Sequence, residues 1–244
     1  MFIRDEFETE RNNQMLSLID DEELNKLGKT IIEKSDKYKY GYYWNWLGLP
    51  IIQMPEDIVL TQELLWDLKP DYIIEAGVAW GGSLAMYASF MSIYGGKKIF
   101  GIDLVIPKHN EDAILSIPNS NLIELIKGSS TSREVFEYIK NQILANSKIL
   151  VILDSNHSHN HVLEELKLWS TILKKGDYVI VSDTIVEYIS EQKHRPRPWG
   201  PGNNPATALN EFLKENFRFS QDNKYNIRTL LSFNPNGYLE CISD

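Results

Sequence analysis

The chain has 244 residues, 43% of them hydrophobic and 24% charged, which is enough for one sizeable globular domain or one domain with a small appendage. A net charge of −9 argues against a sequence-independent grip on nucleic-acid phosphates, and no apolar stretch approaches the ~20 residues needed to span a bilayer. The single cysteine, Cys241, excludes an internal disulfide and suits a reducing compartment. With no secretion signal in MFIRDEFETERNNQ, a cytoplasmic protein is expected.

In chain order, residues 1–15 are polar and read as loosely held. From Leu16 to Lys37, Ile19, Leu24, Leu27, Ile31 and Ile32 recur near helical spacing and predict one or two helices. Tyr38 to Pro55 is dense in aromatics with two prolines and reads as a packed loop. Its aromatics either fill the core, or Tyr42, Tyr43, Trp44 or Trp46 wall a pocket; an oligomer interface suits them equally well. Pro55 to Lys69 predicts a helix, and the boundary at residue 55 separates an N-terminal extension (1–55) from the main domain (56–244).

From Asp71 the pattern alternates. Apolar runs at 72–78, 98–105, 122–128, 148–155 and 178–184 predict parallel strands buried on both faces. Helical patterns at Ser83–Tyr94, Ser132–Leu144 and Val162–Leu173 lie between them. The closing run RTLLSFNPNGYLECI predicts strand, Pro-Asn-Gly turn, strand. The expected fold is α/β: a doubly wound, mostly parallel seven-stranded sheet ending in an antiparallel hairpin, Rossmann-like in the manner of class I methyltransferases.

Three clusters carry candidate chemistry. In YIIEAGVAWGGS a strand stops at a glycine-rich turn that feeds a helix, which places N–H groups beside a cleft. The spacing E-x-G-x-x-x-G-G, with Glu75, Gly77, Gly81 and Gly82, differs from the dinucleotide pattern G-x-G-x-x-G and favours S-adenosylmethionine (SAM). Asp103, ending the second strand, suits the ribose hydroxyls, and Ser129 in GSSTS suits the adenine edge.

Asp154 and Asp183 end the fourth and fifth strands, whose carboxyl ends face one cleft in an open parallel sheet. Two carboxylates there suit Mg²⁺, which accepts oxygen ligands and keeps waters. The competing reading is that both cap helices. His157, three residues past Asp154, suits a general base over the cleft, whereas His159 and His161 read as surface residues at a helix entry. The irregular stretch from Glu187 to Pro205 reads as a substrate lid in which His194, Arg195, Arg197 and Trp199 meet an acidic or sugar-like acceptor, or as a mobile surface loop.

The run from Trp46 to Ser89, with GIDL, LDSNHSHNHVLEEL and VSDT, resembles the cephalosporin hydroxylase/rhamnosyl O-methyltransferase family over roughly Trp46 to Leu213. The resemblance implies SAM contacts at Glu75, Gly77, Gly82, Asp103 and Ser129, metal contacts at Asp154 and Asp183, and a catalytic base at His157. The family often carries an acidic pair before the Thr, whereas this chain has Ser182–Asp183, so a neutral oxygen from Ser182 or Asn156 would complete the metal set. Asp154 also borders the expected cofactor site. The expectation is an O-methyltransferase acting on a sugar, glycoconjugate or natural-product hydroxyl. Its rivals are a metal-independent methyltransferase acting on an amine or phosphate oxygen, a non-catalytic SAM-binding subunit and, more distantly, a nicotinamide dehydrogenase.

Overall fold

A computed structural model describes residues 3–244. Two helices open the chain, α1 (Arg4–Asp20) and α2 (Glu22–Asp36). The described part of residues 1–15, expected to be loosely held, is helical from Arg4, and α1 buries none of its side chains. The aromatic segment is more ordered than a loop: β1 (Trp44–Trp46) and β2 (Leu49–Ile51) form a short antiparallel hairpin before α3 (Pro55–Leu68).

The alternating region follows as β3 (Tyr72–Ala76), α4 (Gly82–Tyr94), β4 (Lys98–Asp103), α5 (Lys108–Leu115), β5 (Ile123–Lys127), α6 (Arg133–Lys140), β6 (Ile149–Leu153), α7 (His159–Trp169) and β7 (Tyr178–Val181). It closes with α8 (Pro205–Glu215), β8 (Phe219–Gln221), α9 (Asn223–Asn226) and β9 (Tyr238–Cys241). The strands form one seven-stranded sheet in the order β5-β4-β3-β6-β7-β9-β8, parallel from β5 to β7, with β9 antiparallel to both neighbours.

Every side chain of β3 and β6 is buried, as their unbroken apolar runs require of strands covered on both faces. On one face Ile74, Phe100, Val151 and Val179 pack with Phe136, Trp169 and Phe212 from α6, α7 and α8. On the other, Ile73, Ile99, Leu150 and Ile180 pack with Leu64 of α3 and Leu84, Met86 and Met91 of α4. Helix α4 is buried around most of its circumference because the β1–β2 hairpin covers its outer side. Gly82 makes that crossing possible, since a Cβ there would stand 2.4 Å from the Pro50 carbonyl oxygen. The Trp46 indole N–H then donates to Ser89 Oγ at 3.1 Å.

The C-terminal hairpin is antiparallel as expected, but its first strand is misplaced by the sequence pattern. Residues 228–233 do not pair with β9; that position belongs to β8. The reason lies in α3, whose first-turn carboxylates capture the backbone instead. Glu56 accepts the Leu230 and Leu231 N–H groups at 2.8 and 2.7 Å, and Asp57 accepts that of Phe233 at 2.8 Å.

The strand order reverses at β3, which has β4 on one side and β6 on the other. A crevice opens at such a switch point, beyond the carboxyl ends of the strands. Among the described residues no helix is long and apolar enough to cross a membrane.

Candidate active site

The crevice is a cleft of about 630 Å³. Its floor is the turn between β3 and α4, where Gly77, Val78, Ala79 and Trp80 line it together with Gly82 and Ser83. Gly77 adopts a positive φ of 97°, and a Cβ there would lie 2.1 Å from the carbonyl oxygen of Asp154. The turn and the tip of β6 touch backbone to backbone, which only glycine permits. The turn is fastened from β4: Asp103 Oδ2 accepts the N–H groups of Val78 and Ala79 at 3.0 and 3.3 Å. The other oxygen accepts Val105 N–H at 3.1 Å, and the residue lines the cleft. Ser129 lines it as well, from the end of β5.

Two expected cradle residues sit behind the wall rather than in it. Glu75 is fully buried and accepts from Ser83 Oγ at 2.8 Å and Tyr87 Oη at 2.9 Å. Burial pushes its carboxyl up to about 8. A carboxyl so enclosed reaches the cleft through Ser83, not by direct contact. Gly81 faces away, and its φ of 80° and the side chain of Ile114, 2.2 Å from a would-be Cβ, explain the glycine as a packing need.

At the ends of β6 and β7, Asp154, His157 and Asp183 converge, each offering a ligand atom within 4.8 Å of the others. His157 Nε2 stands 3.1 Å from Asp183 Oδ2, and the ring meets Trp199 edge-on at 5.0 Å. Burial first, and then the Asp183 carboxylate, push the Asp154 carboxyl well above its ordinary range. A group of this kind is stabilised as an anion by a cation. Ser182, expected to complete the metal set, precedes Asp183 in the chain but does not line the cleft, and its Oγ is buried without a hydrogen-bond partner. The helix-cap alternative is not realised: Asp183 precedes only a short 3₁₀ turn with no side-chain cap, and Ser158 stands at the N-cap of α7.

The lid residues divide. Arg195, Arg197 and Trp199 line the cleft, with the Arg197 guanidinium over the Trp199 ring at 5.5 Å. His194 does not line it; its Nε2 lies 2.8 Å from Asp36 Oδ2 on α2. Arg195 pairs with the same carboxylate and donates to Tyr42 Oη at 2.9 Å. Of the aromatics considered earlier, Tyr42 lines the cleft and Tyr43 is exposed, while Trp44 and Trp46 pack against the core.

His159 and His161 differ from the surface residues expected. His159 Nδ1 lies 2.8 Å from Thr207 Oγ1 on α8. His161 lines the cleft, 3.1 Å from Ser155 Oγ and 3.2 Å from both Ser130 Oγ and the fully buried Glu165. The hydrogen bond to Glu165 raises its pKa. The i,i+4 spacing of His161 and Glu165 on one helix face was the signal available for this pair.

The seven-stranded sheet with its glycine turn at the switch point defines a class I methyltransferase of the SAM-dependent kind. The profile of the Rhamnosyl O-methyltransferase/CmcI family matches residues 38–242, and the chain belongs to that family. A rhamnosyl O-methyltransferase of Mycobacterium bovis (strain BCG / Pasteur 1173P2) is 32% identical over 225 residues, covering 86% of this chain and 84% of that protein. That of Mycobacterium leprae (strain TN) is 33% identical over 161 residues, 64% of this chain and 68% of the relative. Among solved structures, CmcI with Mg and SAM shares the fold with a TM-score of 0.56 at 24% identity, covering 83% of this chain and 78% of that one. An O-methyltransferase from Bacillus cereus in complex with SAH gives 0.51 at 14% identity, with 82% of each chain covered.

Proposed function

We propose that this protein transfers the methyl group of SAM to a sugar hydroxyl, with Asp154 and Asp183 holding a divalent cation and His157 removing the acceptor proton. The observation that carries the reading is the convergence of Asp154, His157 and Asp183 at the rim of the glycine-floored cleft. The donors fit a hard cation such as Mg²⁺, which takes one or two carboxylates and retains waters. Bound SAM supplies the transferable methyl, and the cation lowers the pKa of the acceptor hydroxyl.

The chain's own residues do the rest. Gly77, Gly82, Asp103 and Ser129 supply the cofactor wall, with Gly82 and Ser83 at the start of α4 lining the same cleft. His157 is held at its tip by Asp183 and along its edge by Trp199, so its ring enters the reaction already oriented. Tyr40, Tyr42 and Trp199 line the cleft with Gln192 and Arg197, a mixture of aromatic and polar groups suited to a sugar ring. The rhamnosyl O-methylation named for the mycobacterial relatives supports this acceptor class.

The test is methyl transfer from labelled SAM to a panel of alkyl rhamnosides and related glycosides, with and without EDTA. His157→Ala is expected to lower kcat by about 10²–10⁴-fold with S-adenosylhomocysteine affinity unchanged. A variant that turns over at the original rate removes His157 from the mechanism. Ser182, standing where the family resemblance implies an acid, favours a second reading in which no metal is needed. Turnover indifferent to EDTA and to Asp183→Ala would establish it.

A further inference from the structure

Asp183 adopts a left-handed backbone conformation with φ of 56°. For a residue with a Cβ this backbone state is strained and persists only where surroundings enforce it. The conformation also sets where the Cα–Cβ bond points, and so aims the carboxylate at Asp154 and His157. β7 has already ended at Val181, so the sheet does not impose it.

The enforcement comes from residues 232–237, far along the chain. Asn234 Oδ1 accepts the Asp183 N–H at 3.0 Å. The Phe233 carbonyl accepts Ile185 N–H at 3.0 Å, the Pro235 carbonyl accepts Thr184 Oγ1–H at 2.7 Å, and the Gly237 carbonyl accepts Val181 N–H at 2.8 Å. This segment is itself pinned to α3. The buried Asp57 accepts Phe233 N–H at 2.8 Å and the hydroxyl of Ser232, whose Oγ accepts Asn234 N–H at 2.8 Å. Asp57, Ser232, Asn234 and Thr184 are all buried, so water does not compete for these bonds.

We propose that Asn234 is the positioning residue that fixes Asp183 for cation binding, with the Asp57–Ser232 pair as its anchor. Asn234 does not line the cleft and reaches Asp183 through its amide. The bond to Asn234 fixes the peptide plane that enters Asp183, and the bonds at Thr184 and Ile185 hold the turn that follows it. The inference rests on the metal reading of the cleft given above.

The test uses the full chain loaded with S-adenosylhomocysteine and titrated with Mn²⁺ by electron paramagnetic resonance. Asn234→Ala is expected to weaken Mn²⁺ about 10–100-fold, the range for partners that orient metal ligands. Its S-adenosylhomocysteine affinity is expected to be unchanged, and exchange of the Asp183 amide to quicken. Thr184→Val removes a neighbouring bond of the same brace and is expected to bind Mn²⁺ as the unaltered protein does. Asn234→Ala that retains Mn²⁺ affinity overturns the proposal, as does an equal loss in Thr184→Val, which would signal a general loosening. Unaltered protein that takes up no Mn²⁺ overturns the metal reading itself and the brace's purpose with it, while the Asp183 amide exchange still shows whether Asn234 holds the turn.

Discussion

Single atoms decide the geometry of the cleft at Gly77. The residue has φ of 97°, and an added methyl would fall 2.1 Å from the Asp154 carbonyl oxygen. That carbonyl belongs to the residue whose carboxylate helps form the acidic centre, so the cofactor floor and the proposed metal site meet across one backbone contact. Gly77→Ala is expected to cost about 2–4 kcal/mol from positive-φ strain and overpacking together. It should also weaken both S-adenosylhomocysteine and Mn²⁺ binding, read by thermal melting and calorimetry. A variant that keeps both affinities would show that the turn and the strand tip move independently. Asp103 makes a related point. Its carboxylate, expected to meet a ribose, also fastens the glycine turn through Val78 and Ala79.

At the scale of elements, the segment after β7 and helix α2 form a clasp over the cleft. Asp36 near the end of α2 holds both His194 and Arg195, and Glu33 one turn earlier accepts Ser190 N–H at 3.5 Å. Lys29 stacks over Tyr188 at 4.9 Å. Asp36→Ala is expected to speed hydrogen exchange in residues 187–205 and to raise the acceptor KM several-fold, with S-adenosylhomocysteine affinity unchanged. Exchange equal to that of the unaltered protein would mean the lid is held by its cleft-facing residues alone.

None of this clasp was legible in the sequence, because a carboxylate on an amphipathic helix carries no mark of partners about 158 positions away. The parallel strands were legible, since apolar runs between helical patterns admit few other folds. The acidic tips of β6 and β7 were legible too, because topology alone brings strand ends together. Helix α8 left a signal that periodicity did not pick up: Asn204 caps it with Pro205 in its first turn. The displaced first strand of the C-terminal hairpin left none, because Glu56 and Asp57 redirect residues 230–233 through tertiary bonds.

Across the whole molecule, the acidic balance has an interior component that ties stability to pH. Burial raises the carboxyls of Asp57 to about 7 and Glu75 to about 8, and Asp154 is raised in the same direction. Each of these groups binds its proton more tightly folded than unfolded. Their contribution is therefore fully present below the ordinary carboxylate pKa and is lost as pH rises through the folded values. The carboxylates held low by partners, Glu63, Asp67, Asp71 and Glu124, have the opposite sign, but their contribution is complete once pH exceeds the ordinary carboxylate range. His161, raised by Glu165, adds to the decline on the alkaline side. In EDTA the melting temperature is thus expected to fall between about pH 5 and pH 8. Glu75→Gln, which mimics the protonated form toward Ser83 and Tyr87, should flatten part of that slope. The gain should appear at pH 8 and not at pH 5, at about 2–4 °C for each kcal/mol recovered. Added Mg²⁺ should raise the melting temperature more at pH 8 than at pH 5, because it competes with the proton at Asp154. A Glu75→Gln profile parallel to that of the unaltered protein would show that the buried carboxyl stays in one protonation state throughout.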